Sequence, residues 1–171
     1  MMNASRRGSL STNAYALWGL AVALMAMDFV PAAHAAERAT GVSEGEVVQA
    51  LSLKGFSVRV GNDSFHEPII ESFAGSVRFY IYFYDCDQAR RCGNIQFRSG
   101  FATHRGLSLD RINDWSTRWR FGRLYLDPEG DAILDMDVDV SRGVAPEQLA
   151  VQVDRWLNVM NEAKSFLGWQ R

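Results

Sequence analysis

The stretch Val77-Arg78-Phe79-Tyr80-Ile81-Tyr82-Phe83-Tyr84 decides the fold. Seven of its eight residues are β-branched or aromatic, the types that fit a pleated, half-buried surface. Side chains alternate between the two faces of a strand. Val77, Phe79, Ile81 and Phe83 therefore point one way, and Arg78, Tyr80, Tyr82 and Tyr84 the other. The first set belongs to a core. The second joins aromatic bodies to polar tips and can meet water or a partner.

The pattern continues on both sides of this strand. Downstream, Ile95, Phe97 and Ser99 alternate with Gln96 and Arg98. Upstream, Ile69 to Phe73 reads as a strand, as does Phe56 to Val60, and Gly61-Asn62-Asp63 and Ala74-Gly75-Ser76 are turn signals. The result is an antiparallel meander with one buried face. Ser43-Glu44-Gly45-Glu46 has the S-x-x-E form of a capping box and predicts a helix over 44–54, with Gly55 at its C-terminal end. Ser108 can cap a helix from Leu109 to Trp119, whose apolar stripe is Leu109, Ile112, Trp115 and Trp119. Leu124 to Leu126, a turn at Asp127-Pro128-Glu129-Gly130, and Ala132 to Val140 make two more strands. Pro146 suits the first turn of a long final helix, with Leu149, Val153, Trp156, Met160 and Leu167 on its core side. The order is α-β-β-β-β-α-β-β-α. Strands arrive in runs rather than in β-α-β alternation, so the expected class is α+β, helices packed on an antiparallel sheet.

The 171 residues carry 18 basic and 20 acidic groups and are 47% hydrophobic, the profile of one globular domain. A formal charge of −2 argues against sequence-independent binding to nucleic acid, which needs a positive surface. The N-terminus has the layout of a secretory signal peptide: Arg6 and Arg7, an apolar run from Tyr15 to Val30 broken only by Asp28, then Ala33-His34-Ala35. The uninterrupted part, Tyr15 to Met27, is 13 residues, whereas a spanning helix needs about 20. Ser5-Arg6-Arg7-Gly8-Ser9-Leu10 is similar to a twin-arginine export motif, but Ser9 stands where an aromatic is usual, so the general secretory route is expected. Cleavage after Ala35 would remove two arginines and one aspartate, leaving 136 residues of charge −3 and no stable membrane insertion. Residues 36–42 read as a flexible leader and 43–171 as the domain. The expected location is periplasmic or secreted.

Export gives the two cysteines a meaning. Cys86 and Cys92 flank the turn between two paired strands, so in an oxidising compartment they predict a disulfide across a hairpin. Their spacing does not fit a C-x-x-C redox pair, and no second pair is placed for zinc. Asp135, Asp137 and Asp139 invite a calcium reading, but an EF-hand loop starting at Asp135 would need Gly and an acid where Val140 and Pro146 stand. Period-two spacing instead lays them along a strand as a solvated face, partly neutralised by cross-strand arginines. No metal or cofactor is expected. His66 and His104, near Ser64 and Ser108, belong to no recognisable catalytic motif. The tyrosine face with Arg78 is the leading binding candidate, because tyrosine and arginine are common interface anchors.

The chain resembles the YbjN family of bacterial proteins. The resemblance is carried by Phe79-Tyr80-Ile81-Tyr82-Phe83-Tyr84-Asp85-Cys86, Cys92-Gly93-Asn94-Ile95-Gln96-Phe97 and Ile112-Asn113-Asp114-Trp115-Ser116. Arg120-Phe121-Gly122-Arg123-Leu124-Tyr125-Leu126-Asp127, Leu134-Asp135-Met136-Asp137-Val138-Asp139 and Gly143-Val144 extend it. It spans roughly residues 43–167 and implies regulators of sensory transduction without established catalytic residues. It also implies a fold similar to type III secretion chaperones, and a homodimer. The reading that follows is an exported, non-enzymatic module binding an unknown protein or peptide. The alternatives are a small-molecule sensor with a helix–sheet pocket lined by Trp115 and Trp119, and an unrecognised hydrolase.

Overall fold

The computed structural model describes residues 40–103 and 106–169. Within them the chain forms α1 (Glu44–Leu53), β1 (Val58–Asn62), β2 (Pro68–Ala74), β3 (Val77–Cys86), β4 (Cys92–Phe101), α2 (Leu109–Arg118), β5 (Arg123–Leu126), β6 (Ala132–Asp139) and α3 (Pro146–Leu167). This is the expected α+β class with the expected element order. All strands join one antiparallel sheet in the order β1-β2-β3-β4-β6-β5. The first four form the meander. The chain then leaves the sheet through α2, returns as edge strand β5, and places β6 between β5 and β4.

The buried face carries Ile70, Phe79, Ile81, Phe83, Ile95, Phe97, Phe101 and Leu134. The helices cover it. Trp156 of α3 lies against Phe79 and Phe97, with ring centroids 6.1 and 5.6 Å apart. Phe166 at the end of α3 meets Trp115 and Trp119 of the α2 segment. Helix α1 starts with the expected capping box: the Glu46 carboxylate accepts the Ser43 N–H at 2.7 Å, and Ser43 Oγ accepts the Glu46 N–H. Among the described residues no helix is long and apolar enough to cross a membrane.

Three local expectations shift. The first strand runs over Val58–Asn62 rather than 56–60, because Gly61 and Asn62 pair with Ile69 and Pro68 instead of turning. The turn comes two residues later, where Asp63 Oδ1 accepts the N–H groups of Phe65 and Glu67. Phe56, freed from the strand, packs edge-on against Phe79. Leu109 is not part of the buried stripe of α2: it is 70% exposed in the first turn, while Ile112 and Trp115 do the packing. The expected signal peptide lies outside the described residues, as do residues 36–39 of the expected leader. The last residues of that leader are held: Val42 is fully buried and bridges Cys92, and the Gly41 N–H donates to Ser141 O.

The hairpin bridge is present. Cys86 and Cys92 are register partners of β3 and β4, with Cα atoms 3.8 Å apart, and are joined as a disulfide. The hairpin loop they close also holds the start of the domain, since Arg91 donates to the Thr40 and Gly41 carbonyls and pairs with Glu46. Replacing both cysteines with serine is expected to lower stability by about 2 kcal/mol, the chain-entropy value for so short a loop. Urea denaturation of the double variant against the oxidised parent measures it.

Candidate functional site

Among the described residues, no helix packs on the face of the sheet opposite α1, α2 and α3. Each strand sends alternate side chains there, and the antiparallel register sets them in rows. One row reads Arg59, Glu71, Tyr80, Arg98, Asp135, Arg123 across the six strands. The next reads Gly61, Ile69, Tyr82, Gln96, Asp137. The expected set Arg78, Tyr80, Tyr82 and Tyr84 therefore does share one open surface. The register adds Gln96, Arg98, Asp135, Arg123 and Tyr125, which sequence reasoning did not place beside the tyrosines.

Asp135 organises this surface. Its side chain is fully buried, although β6 was expected to present a solvated row of aspartates. Two strands explain the difference. Arg98 of β4 grips the carboxylate with Nε at 2.7 Å and Nη2 at 2.9 Å, and Arg123 of β5 donates to it at 2.9 Å. Both arginines are the cross-strand partners of Asp135, so its charge is neutralised from either side. Asp137 and Asp139 remain exposed. Burial alone would raise the Asp135 carboxyl, but the hydrogen bonds from Arg98 and Arg123 outweigh it and hold the group below the usual carboxylate range.

The network then fixes the rings. Arg98 also donates to Gln96 Oε1 at 2.9 Å, and Gln96 donates to Asp137 at 2.7 Å. Arg78, Arg98 and Arg123 lie over the rings of Tyr80, Tyr82 and Tyr125, 5.5, 5.3 and 5.0 Å from their centroids. Such cation–π contacts favour one ring orientation. Partial burial pushes the phenols of Tyr82 and Tyr84 up, so both stay protonated donors at neutral pH. The outcome is a pre-ordered, amphipathic surface.

The remaining candidates sit elsewhere. Trp115 is 1% exposed and donates its indole N–H to the Gly122 carbonyl at 2.8 Å. Trp119 stacks on it at 4.4 Å, half-buried. The pair fills the contact between α2 and α3 and has a packing role. His66 stands in an exposed turn, and Ser108 caps α2 by accepting the Arg111 N–H; His104 lies outside the described residues. Among the described residues no cluster of three or more His, Cys, Asp or Glu side chains could hold a metal. The arrangement offers hydrogen-bonding groups and aromatic surface rather than a nucleophile paired with a base.

No curated protein matches the chain. A family model does, over residues 45–168, which spans α1 to the end of α3. The chain belongs to the YbjN family, described as "putative bacterial sensory transduction regulator".

Proposed function

We propose that this protein is an exported binding module, not an enzyme, and that it docks a protein or peptide partner on the open face of its sheet. The observation that carries the reading is the face itself: Tyr80, Tyr82 and Tyr84 lie outside the helical layer, Tyr82 under Arg98 anchored on buried Asp135, Tyr80 under Arg78, and Tyr84 donating to Gln96. Tyrosine and arginine held in place lose little entropy on binding and are the usual anchors of interfaces. The family's description as a regulator supports a binding role. The apolar run from Tyr15 to Val30 and the Cys86–Cys92 disulfide are both compatible with a periplasmic or secreted site of action. In that setting reversible docking would serve sensory transduction or a chaperone-like task.

A photoreactive amino acid placed at Tyr82 tests this in the intact cell envelope. The expected result is a discrete adduct at position 82 that is absent when the probe sits at Val151, an exposed position on α3. The adduct should be lost when Tyr80→Ala is added. An adduct of twice the protein's own mass would identify the partner as a second copy. Equal labelling at both positions, or none at Tyr82, would overturn the reading.

A further inference from the structure

At the Arg78 end of the open face the surface sinks into a groove of about 350 Å³. Its described lining includes Arg78, Tyr80, Tyr82, Arg98, Ile133 and Trp169, with Gly100 as floor. Pockets for small ligands start at about this size. The groove exists because β4 has no side chain at position 100. Gly100 lies within the strand, opposite Ile133 of β6, and a Cβ built there would point towards the Ile133 side chain at 3.4 Å. Its backbone angles need no glycine, since its φ is not positive. Glycine inside a strand weakens it, and it recurs where a ligand approaches the backbone closely. A β-branched residue would suit the strand better and would close the groove.

The lining also says what fits. Two arginines border the groove and none of its described lining residues is acidic. Arg98 is committed to Asp135, but Arg78 is 57% exposed and holds Glu71 only by a 3.4 Å contact. Its guanidinium has donors to spare. The other walls are the rings of Tyr80, Tyr82 and Trp169 and the aliphatic Ile133. We infer that this groove binds an apolar or aromatic group bearing a carboxylate: the carboxylate pairs with Arg78, and the apolar body lies over Gly100 between the rings. Such chemistry is shared by a free aromatic acid and by the C-terminal residue of a protein chain. The inference rests on the reading of the open face as a docking surface and names the ligand at one end of it.

The test uses N-acetylphenylalanine, its neutral amide, and a hexapeptide ending in phenylalanine as the free acid, each titrated into the disulfide-bonded domain by calorimetry. The acid is expected to bind and the amide to bind about tenfold more weakly or not at all, because a charge-assisted hydrogen bond is lost. Gly100→Val should abolish binding while leaving the melting temperature equal or higher. Arg78→Gln should reduce affinity about tenfold, also without loss of stability. A hexapeptide that binds much tighter than the free amino acid assigns the site to a protein C-terminus; equal affinity assigns it to a free acid. Equal binding of acid and amide, undiminished binding by Gly100→Val, or no binding of either acid would each overturn the inference. In those cases a persisting adduct at Tyr82 keeps the docking surface standing without this ligand, and loss of both removes the surface as well.

Discussion

Exchange of Arg98 for methionine is expected to lower stability at neutral pH by about 3–5 kcal/mol, the range for breaking a buried ion pair by removing one partner. Methionine keeps the length of the side chain and removes its charge. Asp135 is fully buried and would retain one arginine, Arg123, which donates a single hydrogen bond from a largely exposed position. The pH dependence is more diagnostic than the magnitude. In the parent the Asp135 carboxyl is held below its ordinary value, so its contribution to stability is present above about pH 4 and is lost as the pH falls through the lowered value. Without Arg98, burial dominates and raises the same carboxyl. A raised carboxyl penalises the folded state at neutral pH and ceases to do so once it is protonated. The gap between variant and parent should therefore be wide at about pH 7 and narrower at about pH 5, read by urea denaturation. A gap that does not change with pH would show that Asp135 is not the group left exposed to the loss. Arg98→Lys should fall between the two, since it keeps the charge and gives up the paired hydrogen bonds.

Replacement of Trp115 by alanine is expected to cost about 3–5 kcal/mol, the usual loss for a large aromatic removed from a core. Three contacts lie behind that figure. The ring stacks on Trp119, it meets Phe166 of α3 at 5.5 Å, and its N–H satisfies the Gly122 carbonyl. Gly122 has no alternative to its tight position: its φ is +84°, and a Cβ there would come within 2.5 Å of Val159. Deleting the indole leaves a cavity and removes the partner of that carbonyl. The melting temperature should drop by roughly 10 °C or more, while ligand or partner binding at the open face is kept wherever the variant is still folded. A Trp115→Ala protein as stable as the parent would show that the ring does not pack as described, and would return it to the list of ligand contacts.

The two predictions also mark where sequence reading succeeds. Strand β3 was legible because its two faces differ in every residue, so parity alone sorts Phe79 from Tyr80. The capping box at Ser43, the proline opening α3 and the hairpin cysteines were legible for a related reason: each is a local rule whose partners lie within six residues. The cross-strand arginines beside Asp135 were expected, but its burial was not legible. A row of three alternating aspartates has the pattern of a solvated face, and only the approach of Arg98 from one side and Arg123 from the other makes the first of them a buried anion. Leu109 misled in the same way, since helical periodicity assigns a face and leaves open whether anything covers its first turn. The family resemblance reached the right family and, by itself, named no site.

The sequence by itself determined the class, the order of the nine elements among the described residues, the disulfide and the existence of an aromatic face, because these depend on backbone periodicity and on neighbours a few residues apart. The tertiary structure alone decided what surrounds that face. Strand β6 returns past β5 to lie beside β4, which sets Asp135 between two arginines from different parts of the chain and leaves Gly100 as the floor of a groove. Strand adjacency of this kind follows from packing the whole sheet under α1, α2 and α3. It leaves no mark on the local alternation of either strand, since hydrophobic parity is the same whichever neighbour a strand receives.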